Sequence, residues 1–374
     1  MVNRPKTFQK RRYQSKIFSY PQFGYAYSYD QPYYFRNLCL TNIAIIGAGL
    51  SGLTAAKILN DYANITIFEK SRGVSGRMST RLSEPYSFDH GAQYFKVRSE
   101  EFKEFITPMI FEGIIKPWDA RFVEFKNSKI TQRQKWAQSE PHYVGVPGMN
   151  SIAKELAKDL SVCLNVCVKK IKKKNDRWQL KDDQDKPLGE YDWVISTIPP
   201  EQALKVLPES IPFIKKISDF KMKSCFSLML GFEKILPLEF DAAVVHGEDI
   251  SWISVDNSKP GRNEKYSLLV HSTNQWSDEH FDDNHEHLIE LLRNQTSKVI
   301  NYDLSIAKHQ AIHGWRFANI EKRRGETHYL DINQNIAVCG DWFIQGRVEA
   351  AFISGFEMAT SLLNLLNLGE KGDK

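Results

Sequence analysis

Three glycines with the spacing GxGxxG, Gly47, Gly49 and Gly52, are the first residues of the chain that could do chemistry. In such a turn the first glycine permits a sharp bend, the second lets the main chain approach a pyrophosphate, and the third lets a helix pack closely on a strand. The N–H groups at the start of that helix, at Leu50 and Ser51, would attract the same phosphates. The spacing predicts a dinucleotide site, and a glycine-rich turn without a ligand is the alternative.

The segments on either side of the turn have the patterns needed to position it. Residues 42–46 include a short apolar run, which is typical of a strand buried on both faces. Apolar residues then recur at helical spacing from Leu53 to Leu59, and a second strand-like run, residues 65–68, ends at Glu69. Glu69 follows the second glycine by about 20 residues, where a carboxylate accepts hydrogen bonds from a ribose diol. This context strengthens the prediction of dinucleotide binding.

Two further segments indicate which dinucleotide is bound. Residues 70–81, KSRGVSGRMSTR, form a second loop whose N–H groups and guanidinium groups would lie beside the same phosphates. Near the C-terminus, a strand-like run at 335–339 is followed by Gly340 and Asp341, whose carboxylate could bind a ribityl hydroxyl. The apolar helix predicted from about residue 352 to 366 would begin where negative charge gathers on a reduced flavin. These segments favour FAD over NAD.

The chain from residue 42 to 368 resembles the flavin-containing amine oxidase superfamily and, within it, the renalase branch. Besides the glycine turn, the resemblance rests on seven segments: EKSRGVSGRMSTR (69–81), FDHGAQYF (88–95), VGVPGMNSIAKELA (144–157), DWVISTIPP (192–200), LLVHSTNQWS (268–277), HGWRFA (313–318) and CGDWFIQGRVEAAFISG (339–355). The resemblance implies an α/β fold. A Rossmann-type FAD-binding domain would carry an inserted α+β substrate domain, the two-domain architecture of amine oxidases and p-hydroxybenzoate hydroxylase.

The expected domains are discontinuous in sequence. The FAD-binding domain is expected to contain residues 41–100, 141–204 and 316–370, and the substrate domain residues 101–140 and 205–315. Strands are predicted over 162–170, 178–181, 193–197, 226–232, 251–255 and 267–271, with helices over 152–160 and 283–300.

The resemblance implies non-covalent FAD, because the cysteine-containing attachment motif of monoamine oxidases is absent. The residues expected to bind the cofactor are Gly47, Gly49, Leu50, Ser51, Gly52, Glu69, Lys70, Arg72, Gly76, Arg77, Met78, Gly91, Ala92, Gln93, Val168, Thr197, Gly340, Asp341, Arg347, Val348, Glu349 and Ala350. One residue departs from the family pattern, because Ser75 stands where the second loop usually has a glycine. Serine adopts a positive φ poorly, so a rearranged turn is expected there, with Gly73 and Gly76 preserving the binding of FAD.

The resemblance also implies a reaction, hydride transfer to flavin N5 followed by reoxidation by O2 to give H2O2. The substrates of renalase-like proteins are dihydronicotinamide isomers reduced at the 2- or 6-position, which are returned to NAD(P)+ without a strong general base. The candidate substrate-site residues are Gln93, Tyr94, His271, Trp276, His313 and Trp315. An imidazole or indole there could bind a carboxamide or stack on a nicotinamide ring, and ordinary core packing is the alternative. Where amine-oxidising relatives have a lysine, the alignment places Cys225 or Phe226, with Lys223 nearby.

Two other readings stay open. The first is another enzyme of the superfamily, either an amine oxidase or a desaturase acting on an apolar polyene. The second is a flavoprotein that mainly binds a partner, with the leader recruiting RNA or a membrane through its arginine and tyrosine residues.

Composition excludes disorder, collagen and coiled coil as the main architecture, since the 374 residues are 42% hydrophobic and 25% charged. The net charge of +5 lies in residues 1–40, which hold seven Lys or Arg, one Asp and seven of the 15 tyrosines. This basic, tyrosine-rich leader is expected to be poorly ordered, and the remaining body is nearly neutral. We therefore expect a small-molecule substrate and O2 as partners, without nucleic acid.

The remaining charged runs and the residues with metal-ligand spacing are interpreted as structural features without a functional role. The uncharged run between Arg36 and Lys57 contains too many polar residues and glycines to be a membrane span. An odd number of cysteines without a CxxC motif indicates a reducing compartment, and a cytoplasmic location is expected. The lysine run 169–174 is assigned to a solvated strand end and turn. The Cys163/Cys167 pair and the histidines between 280 and 287 are not expected to bind a metal.

Overall fold

The computed structural model describes residues 41–137 and 139–368, so the predictions for the leader lie outside the described residues. The strands are β1 Asn42–Ile46, β2 Asn64–Glu69, β3 Arg81–Ser83, β4 Tyr86–Phe88, β5 Ile115–Pro117, β6 Arg121–Lys126, β7 Lys129–Lys135, β8 Tyr143–Gly145, β9 Val162–Leu164, β10 Val168–Lys174, β11 Arg177–Asp182, β12 Pro187–Tyr191, β13 Trp193–Ser196, β14 Lys223–Gly231, β15 Ala242–His246, β16 Ile250–Val255, β17 Ser267–Ser272, β18 His309–Asn319, β19 His328–Asp331 and β20 Ile336–Cys339. The α-helices are α1 Leu50–Leu59, α2 Glu100–Phe111, α3 Ser151–Ala157, α4 Pro200–Val206, α5 Ile214–Ile217, α6 Asn274–Glu279, α7 His285–Ile300 and α8 Val348–Leu368.

A six-stranded sheet with the order β19-β20-β13-β1-β2-β9 forms the centre of the first domain. Strands β1, β2, β9, β13 and β20 pair in parallel, and β19 runs antiparallel at one edge. The predicted strand–turn–helix–strand unit is present as β1, α1 and β2. Ile43, Ala44 and Ile45 are fully buried, as a strand covered on both faces requires. The predicted Rossmann-type arrangement is confirmed.

Helices α1 and α8 pack closely beside this sheet. A Cβ atom on Gly355 of α8 would lie only 2.4 Å from the carbonyl oxygen of Ser51 in α1, so the two backbones meet without side chains between them. Helix α8 also packs through Phe352, whose ring centroid lies 4.9 Å from that of Phe102 in α2. Helix α8 therefore packs against the first turn of α1.

A seven-stranded mixed sheet with the order β18-β14-β17-β16-β15-β6-β7 forms the second domain. Strands β14, β16 and β17 confirm the strands predicted at 226–232, 251–255 and 267–271. Helix α7 confirms the predicted helix 283–300 and buries Leu288, Leu292 and Val299 against the sheet. Smaller sheets are formed by β10-β11-β12, β3-β4 and β5-β8.

The structure corrects two predicted domain boundaries. Residues 101–111 were assigned to the substrate domain, but α2 packs on α8 and only β6 and β7 of that segment join the seven-stranded sheet. Residues 205–222 were assigned there too, but Phe213, Ile217 and Phe220 share a core with Val194 of the six-stranded sheet. In both cases an amphipathic segment buries its apolar face against the domain that precedes it along the chain.

The lysine run is also placed differently from the prediction. The strand predicted over 162–170 is divided into β9 and β10, with Asn165 at a positive φ of 57° between them. Lys169 to Lys174 therefore lie within β10 rather than at a strand end, and Lys173 Nζ donates to the carbonyl oxygens of Asn333 and Gln334. Within the described ranges, no helix is long and apolar enough to cross a bilayer, and no cluster of three potential metal ligands occurs.

Candidate active site

One large cavity of about 1690 Å³ lies between the two domains. Ordinary small-molecule pockets measure roughly 300–1,000 Å³, so this cavity has room for a dinucleotide and a second molecule. Its walls come from the glycine turn, the second loop, the 90–99 segment, β14, β17, β18 and the start of α8. The segments that the sequence analysis singled out thus face one common space.

The glycine turn and the second loop are held against each other at one end of the cavity. Gly49 and Ser75 form an isolated bridge, and the Ser75 N–H donates to the Ala48 carbonyl oxygen at 2.9 Å. Glu69 ties both loops, because its carboxylate accepts from the N–H groups of Ala48 at 2.9 Å and Ser71 at 2.8 Å. The expectation of a rearranged turn at Ser75 is corrected, since the serine keeps a positive φ of 109°.

The space around the glycines fits the phosphates of FAD. A Cβ atom on Gly52 would lie 2.2 Å from the carbonyl oxygen of Gly47, whereas a Cβ atom on Gly49 would meet nothing within 4 Å. Gly52 does not line the cavity and therefore serves the packing of α1, while Gly49 leaves a free cradle at the start of that helix. This is the arrangement that a pyrophosphate needs at a helix N-terminus.

Arg77 connects the second loop to the C-terminal strand end. Its guanidinium donates two hydrogen bonds to the Asp341 carboxylate, at 2.8 and 2.6 Å, and a third to the Ala318 carbonyl oxygen at 3.0 Å. The expectation that its fork binds the phosphates is corrected, because the fork already holds Asp341. The pair fixes Asp341 at the cavity wall, where the carboxylate keeps further acceptor sites for a hydroxyl.

Apart from Gly52, all the predicted cofactor residues line the cavity. Those that line it are Gly47, Gly49, Leu50, Ser51, Glu69, Lys70, Arg72, Gly76, Arg77, Met78, Gly91, Ala92, Gln93, Val168, Thr197, Gly340, Asp341, Arg347, Val348, Glu349 and Ala350. Residues about 300 positions apart in the chain thus converge because the parallel strands β1, β2, β13 and β20 end at one edge of the sheet. Their individual contacts with FAD remain predictions.

A wall of stacked rings faces the cavity from β18 and the FDHGAQYF segment. The His90 ring stacks on Trp315 with centroids 5.2 Å apart and meets His313 edge-on at 5.0 Å. His313 and Trp315 point to the same side because they are two residues apart on one strand. The His90 carbonyl oxygen accepts from Trp315 Nε1 at 2.7 Å and from Ser227 Oγ at 2.6 Å, which locks the cluster across two strands.

The imidazoles of this wall are neutral at physiological pH. Burial, reinforced by His313 and Arg81, lowers the pKa of His90 to about 3. Burial lowers the pKa of His313 to about 4, with Arg81 adding to the effect. Burial and the charge of Lys259 also lower the pKa of His271 to about 4. The wall therefore offers hydrogen-bonding nitrogens and flat rings without a positive charge.

Acid should weaken the fold through these depressed pKa values. Between about pH 6.5 and about pH 4 these histidines are protonated in the unfolded chain but stay neutral in the folded chain. The free energy of unfolding therefore falls as the pH falls. Replacing His90 by Gln should reduce the pH dependence of the free energy of unfolding by about 1 kcal/mol per pH unit. Urea unfolding of both proteins at pH 5 and pH 7 measures it, and an unchanged pH dependence would contradict the burial argument.

A second group of rings extends the wall toward β16. The ring of Tyr94 lies 4.9 Å from that of Trp136, 4.9 Å from that of His142 and 5.7 Å from that of Trp252. Tyr94 and Trp252 line the cavity, and burial raises the pKa of the Tyr94 phenol. A planar ring could be held flat against this surface.

Gln93 lines the cavity, but both ends of its side-chain amide are hydrogen-bonded within the protein. Its Oε1 accepts from Ser254 Oγ at 2.8 Å and Lys259 Nζ at 3.2 Å, and its Nε2 donates to the Gly91 carbonyl oxygen at 2.9 Å. The Gln93 amide is therefore not available for the substrate binding that the sequence predicts for this residue. Gln93 instead joins the cavity wall to Lys259, which lies in a buried group of charges.

This buried group, the ionic cluster, consists of Asp89, Asp256, Lys259 and Arg262. Lys259 Nζ lies 3.3 Å from the Asp89 carboxylate and is hydrogen-bonded to Asp256, and neither Lys259 nor the two aspartates has any exposed side-chain surface. Burial acts to raise the pKa of Asp89, but the charges of Lys259 and Arg262 outweigh it and hold the pKa below its ordinary value. The cluster joins the two domains directly beneath the cavity wall.

Trp276 is placed outside the cavity, which corrects its assignment to the substrate site. It lies on α6, is 8% exposed and packs edge-on against Phe226 in the core of the second domain. The residues compared with the lysine of amine-oxidising relatives lie in two different surroundings. Cys225 lines the cavity, whereas Lys223 forms an exposed ion pair with Glu321 at 2.6 Å.

The charges around the cavity are strongly unbalanced. Its lining residues include ten cations: Lys70, Arg72, Arg77, Arg81, Lys96, Arg98, Lys169, Lys205, Arg316 and Arg347. Among the residues that the structure describes, only three carboxylates line it, and each is bound by the protein. Glu69 accepts from two loop N–H groups, Asp341 accepts from Arg77, and Glu349 accepts from the N–H groups of Arg98 and Ser99. The cavity is thus suited to anionic ligands.

The lining residues that sequence reasoning missed include His90, Trp252, Arg81 and Arg98. His90 stands inside the FDHGAQYF segment and could have been found there. Trp252 could have been found only from strand register, since its neighbours in sequence carry no motif. Its partner across the strands is His271, which was predicted.

Comparisons with known proteins agree with this arrangement. Residues 45–107 match the NAD(P)-binding Rossmann-like domain, and residues 123–363 match the family of flavin containing amine oxidoreductases. A putative protoporphyrinogen oxidase from Exiguobacterium sp. 255-15 is similar in structure, with a TM-score of 0.71 and 13% identity over 86% of this chain and 98% of that chain. Putrescine oxidase bound to putrescine has a TM-score of 0.61 and 12% identity over 87% and 99% of the two chains.

The similarity to curated proteins is confined to a short stretch. The 4,4'-diapophytoene desaturase of Staphylococcus aureus is 46% identical over 50 residues, which are 13% of this chain and 10% of the desaturase. The matched stretch thus spans about a tenth of the length of these relatives. The match to the oxidoreductase family covers well over half of the chain, and it includes strands of both domains and the start of α8. The chain belongs to the flavin containing amine oxidoreductase family.

Proposed function

We propose that this oxidoreductase takes hydride from dihydronicotinamide isomers, 2- or 6-dihydroNAD(P), and returns NAD(P)+. Bound FAD would supply the hydride acceptor, and O2 would receive the electrons to give H2O2. The proposal combines the renalase-like segments of the sequence with the electrostatics and ring geometry of the cavity.

The observation that carries the proposal is the excess of cations around the cavity. Three of the ten cations, Arg77, Lys96 and Arg316, already pair with carboxylates of the protein. The pyrophosphate of FAD alone does not balance the other seven, so a second phosphate-bearing molecule fits the remaining charge. A cationic amine would instead need a carboxylate to pair with. The lining carboxylates Glu69, Asp341 and Glu349 already hold protein donors.

The chain's own residues would bind and orient the substrate without exchanging protons with it. A dihydropyridine loses hydride without losing a proton, so neutral imidazoles at His90, His271 and His313 suffice. The stacked rings of His90 and Trp315 would exclude water from one face of the site. We also propose that FAD is held without a covalent bond, because burial raises the pKa of the cavity-lining thiol Cys225 to about 12.

The test compares three classes of substrate in air. Purified flavoprotein should produce H2O2 and NAD(P)+ with 2- or 6-dihydroNAD(P), and should produce H2O2 at least about a hundredfold more slowly with putrescine. Replacing Arg98 by Gln should raise KM for the dinucleotide more than it lowers kcat, while the exposed Arg133→Gln serves as the control. Rapid oxidation of the diamine, or desaturation of an apolar polyene, would overturn the proposal.

A further inference from the structure

Two side chains on neighbouring strands form a matched pair on the cavity wall. Trp252 of β16 and His271 of β17 stand directly opposite each other in the antiparallel register, and both line the cavity. Residues opposite each other in this way project from the same face, with Cβ atoms about 4.5–5.5 Å apart. The indole and the imidazole therefore lie side by side in the cavity wall.

Each of the two rings has a buried nitrogen with no hydrogen-bond partner. Within the part of the chain that the structure describes, neither Trp252 Nε1 nor His271 Nε2 is satisfied. Four other indoles are satisfied: the Nε1 atoms of Trp118, Trp178, Trp315 and Trp342 donate to Ser258, Gln334, His90 and Ile198. An unsatisfied buried polar group costs about 1–3 kcal/mol, so two such atoms at one place indicate a ligand that supplies the partners.

The two nitrogens have opposite hydrogen-bonding roles. An indole nitrogen can only donate. The His271 ring is neutral, so one of its nitrogens carries the N–H and the other carries a lone pair. With the proton on Nδ1, the unpartnered Nε2 is an acceptor. The wall thus offers one donor and one acceptor.

We infer that Trp252 and His271 together bind a primary carboxamide on the substrate ring. The indole N–H would donate to the carbonyl oxygen, and the amide NH2 would donate to His271 Nε2. A ketone lacks the donor, and a carboxylate lacks it too while adding a charge. The ring of Tyr94, 5.7 Å from that of Trp252, would lie beside the carboxamide-bearing ring. This inference rests on the proposed function and adds the group by which the substrate is recognised.

Binding to the FAD-loaded protein tests the inference without turnover. Titration calorimetry with nicotinamide, 3-acetylpyridine and nicotinate should show nicotinamide bound at least about tenfold more tightly than either analogue, the loss expected when one buried hydrogen bond is missing. Trp252→Phe keeps a ring but removes the donor to the carbonyl oxygen that nicotinamide and 3-acetylpyridine share, so it should weaken the binding of both by about tenfold. Trp178→Phe, remote on β11, should leave both affinities unchanged, and a normal flavin content verifies that each variant is folded.

His271→Gln separates hydrogen bonding from packing. Glutamine carries both a donor and an acceptor, so it should retain part of the preference, whereas His271→Phe should lose it. Equal affinity of the parent protein for nicotinamide and 3-acetylpyridine, or tighter binding of nicotinate, would overturn the inference even if dihydronicotinamides are oxidised. A clear preference for nicotinamide together with no oxidation of dihydronicotinamides would instead reject the proposed function and retain the carboxamide site.

Discussion

Replacing Lys259 by Met should lower the free energy of unfolding by about 3–5 kcal/mol, the cost of leaving a buried charge without its partner. Lys259 is 2% exposed and lies between the carboxylates of Asp89 and Asp256, so its removal leaves two acidic groups to share the single cation of Arg262. Lys259 also donates to Gln93 in the cavity wall, so FAD affinity should fall with stability.

Lys223→Met provides a matched control for this effect. Lys223 also pairs with a carboxylate, Glu321 at 2.6 Å, but both side chains are substantially exposed. Because water screens an exposed ion pair, this replacement should change the free energy of unfolding by less than about 1 kcal/mol. Urea unfolding of the two variants and the parent protein measures the difference, and similar losses for Lys223 and Lys259 would show that burial of the ionic cluster has no special importance.

Replacing Gly49 by Val should lower the affinity for FAD by about 100-fold, or roughly 2.7 kcal/mol, while leaving the flavin-free protein stable. At Gly49 φ is −75° and ψ is 176°, values that any residue adopts, and an added Cβ atom meets no protein atom within 4 Å. The added side chain would instead occupy the cradle in front of α1 where the pyrophosphate is expected.

Gly52→Ala separates this binding effect from an effect on folding. Its Cβ atom would lie 2.2 Å from the carbonyl oxygen of Gly47, so the helix must move away from the strand and the flavin-free protein should lose stability. Fluorescence titration with FAD and thermal unfolding without FAD measure the two quantities. Normal FAD affinity in Gly49→Val would contradict the placement of the pyrophosphate.

The elements that the sequence predicted well are those whose signals are local. The glycine turn, the apolar runs that became β1 and β2, and the acid at Glu69 form one continuous unit, in which periodicity and turn chemistry agree. The C-terminal strand and helix were equally clear for the same reason. The resemblance then supplied the second domain, whose strands were located approximately and whose order in the sheet was not predicted.

What could not be predicted depends on register and on packing between distant segments. Trp276 shares the LLVHSTNQWS segment with His271, but the strand ends before it and α6 turns the indole into the core. Trp252 has no motif and reaches the cavity only because its strand pairs with that of His271. The ion pair between Asp89 and Lys259 joins residues 170 positions apart, which no sequence pattern indicates.

The central claim is that this cavity brings a dihydronicotinamide dinucleotide to bound FAD. The measurement that tests it most directly is the absorbance of the bound flavin after anaerobic mixing with 2- or 6-dihydroNAD(P), with putrescine as the comparison. The account predicts rapid bleaching of the flavin by the dihydronicotinamides, one equivalent of NAD(P)+ per flavin, and none by putrescine. Bleaching by the amine, or a flavin that stays oxidised with every dihydronicotinamide isomer, would contradict it.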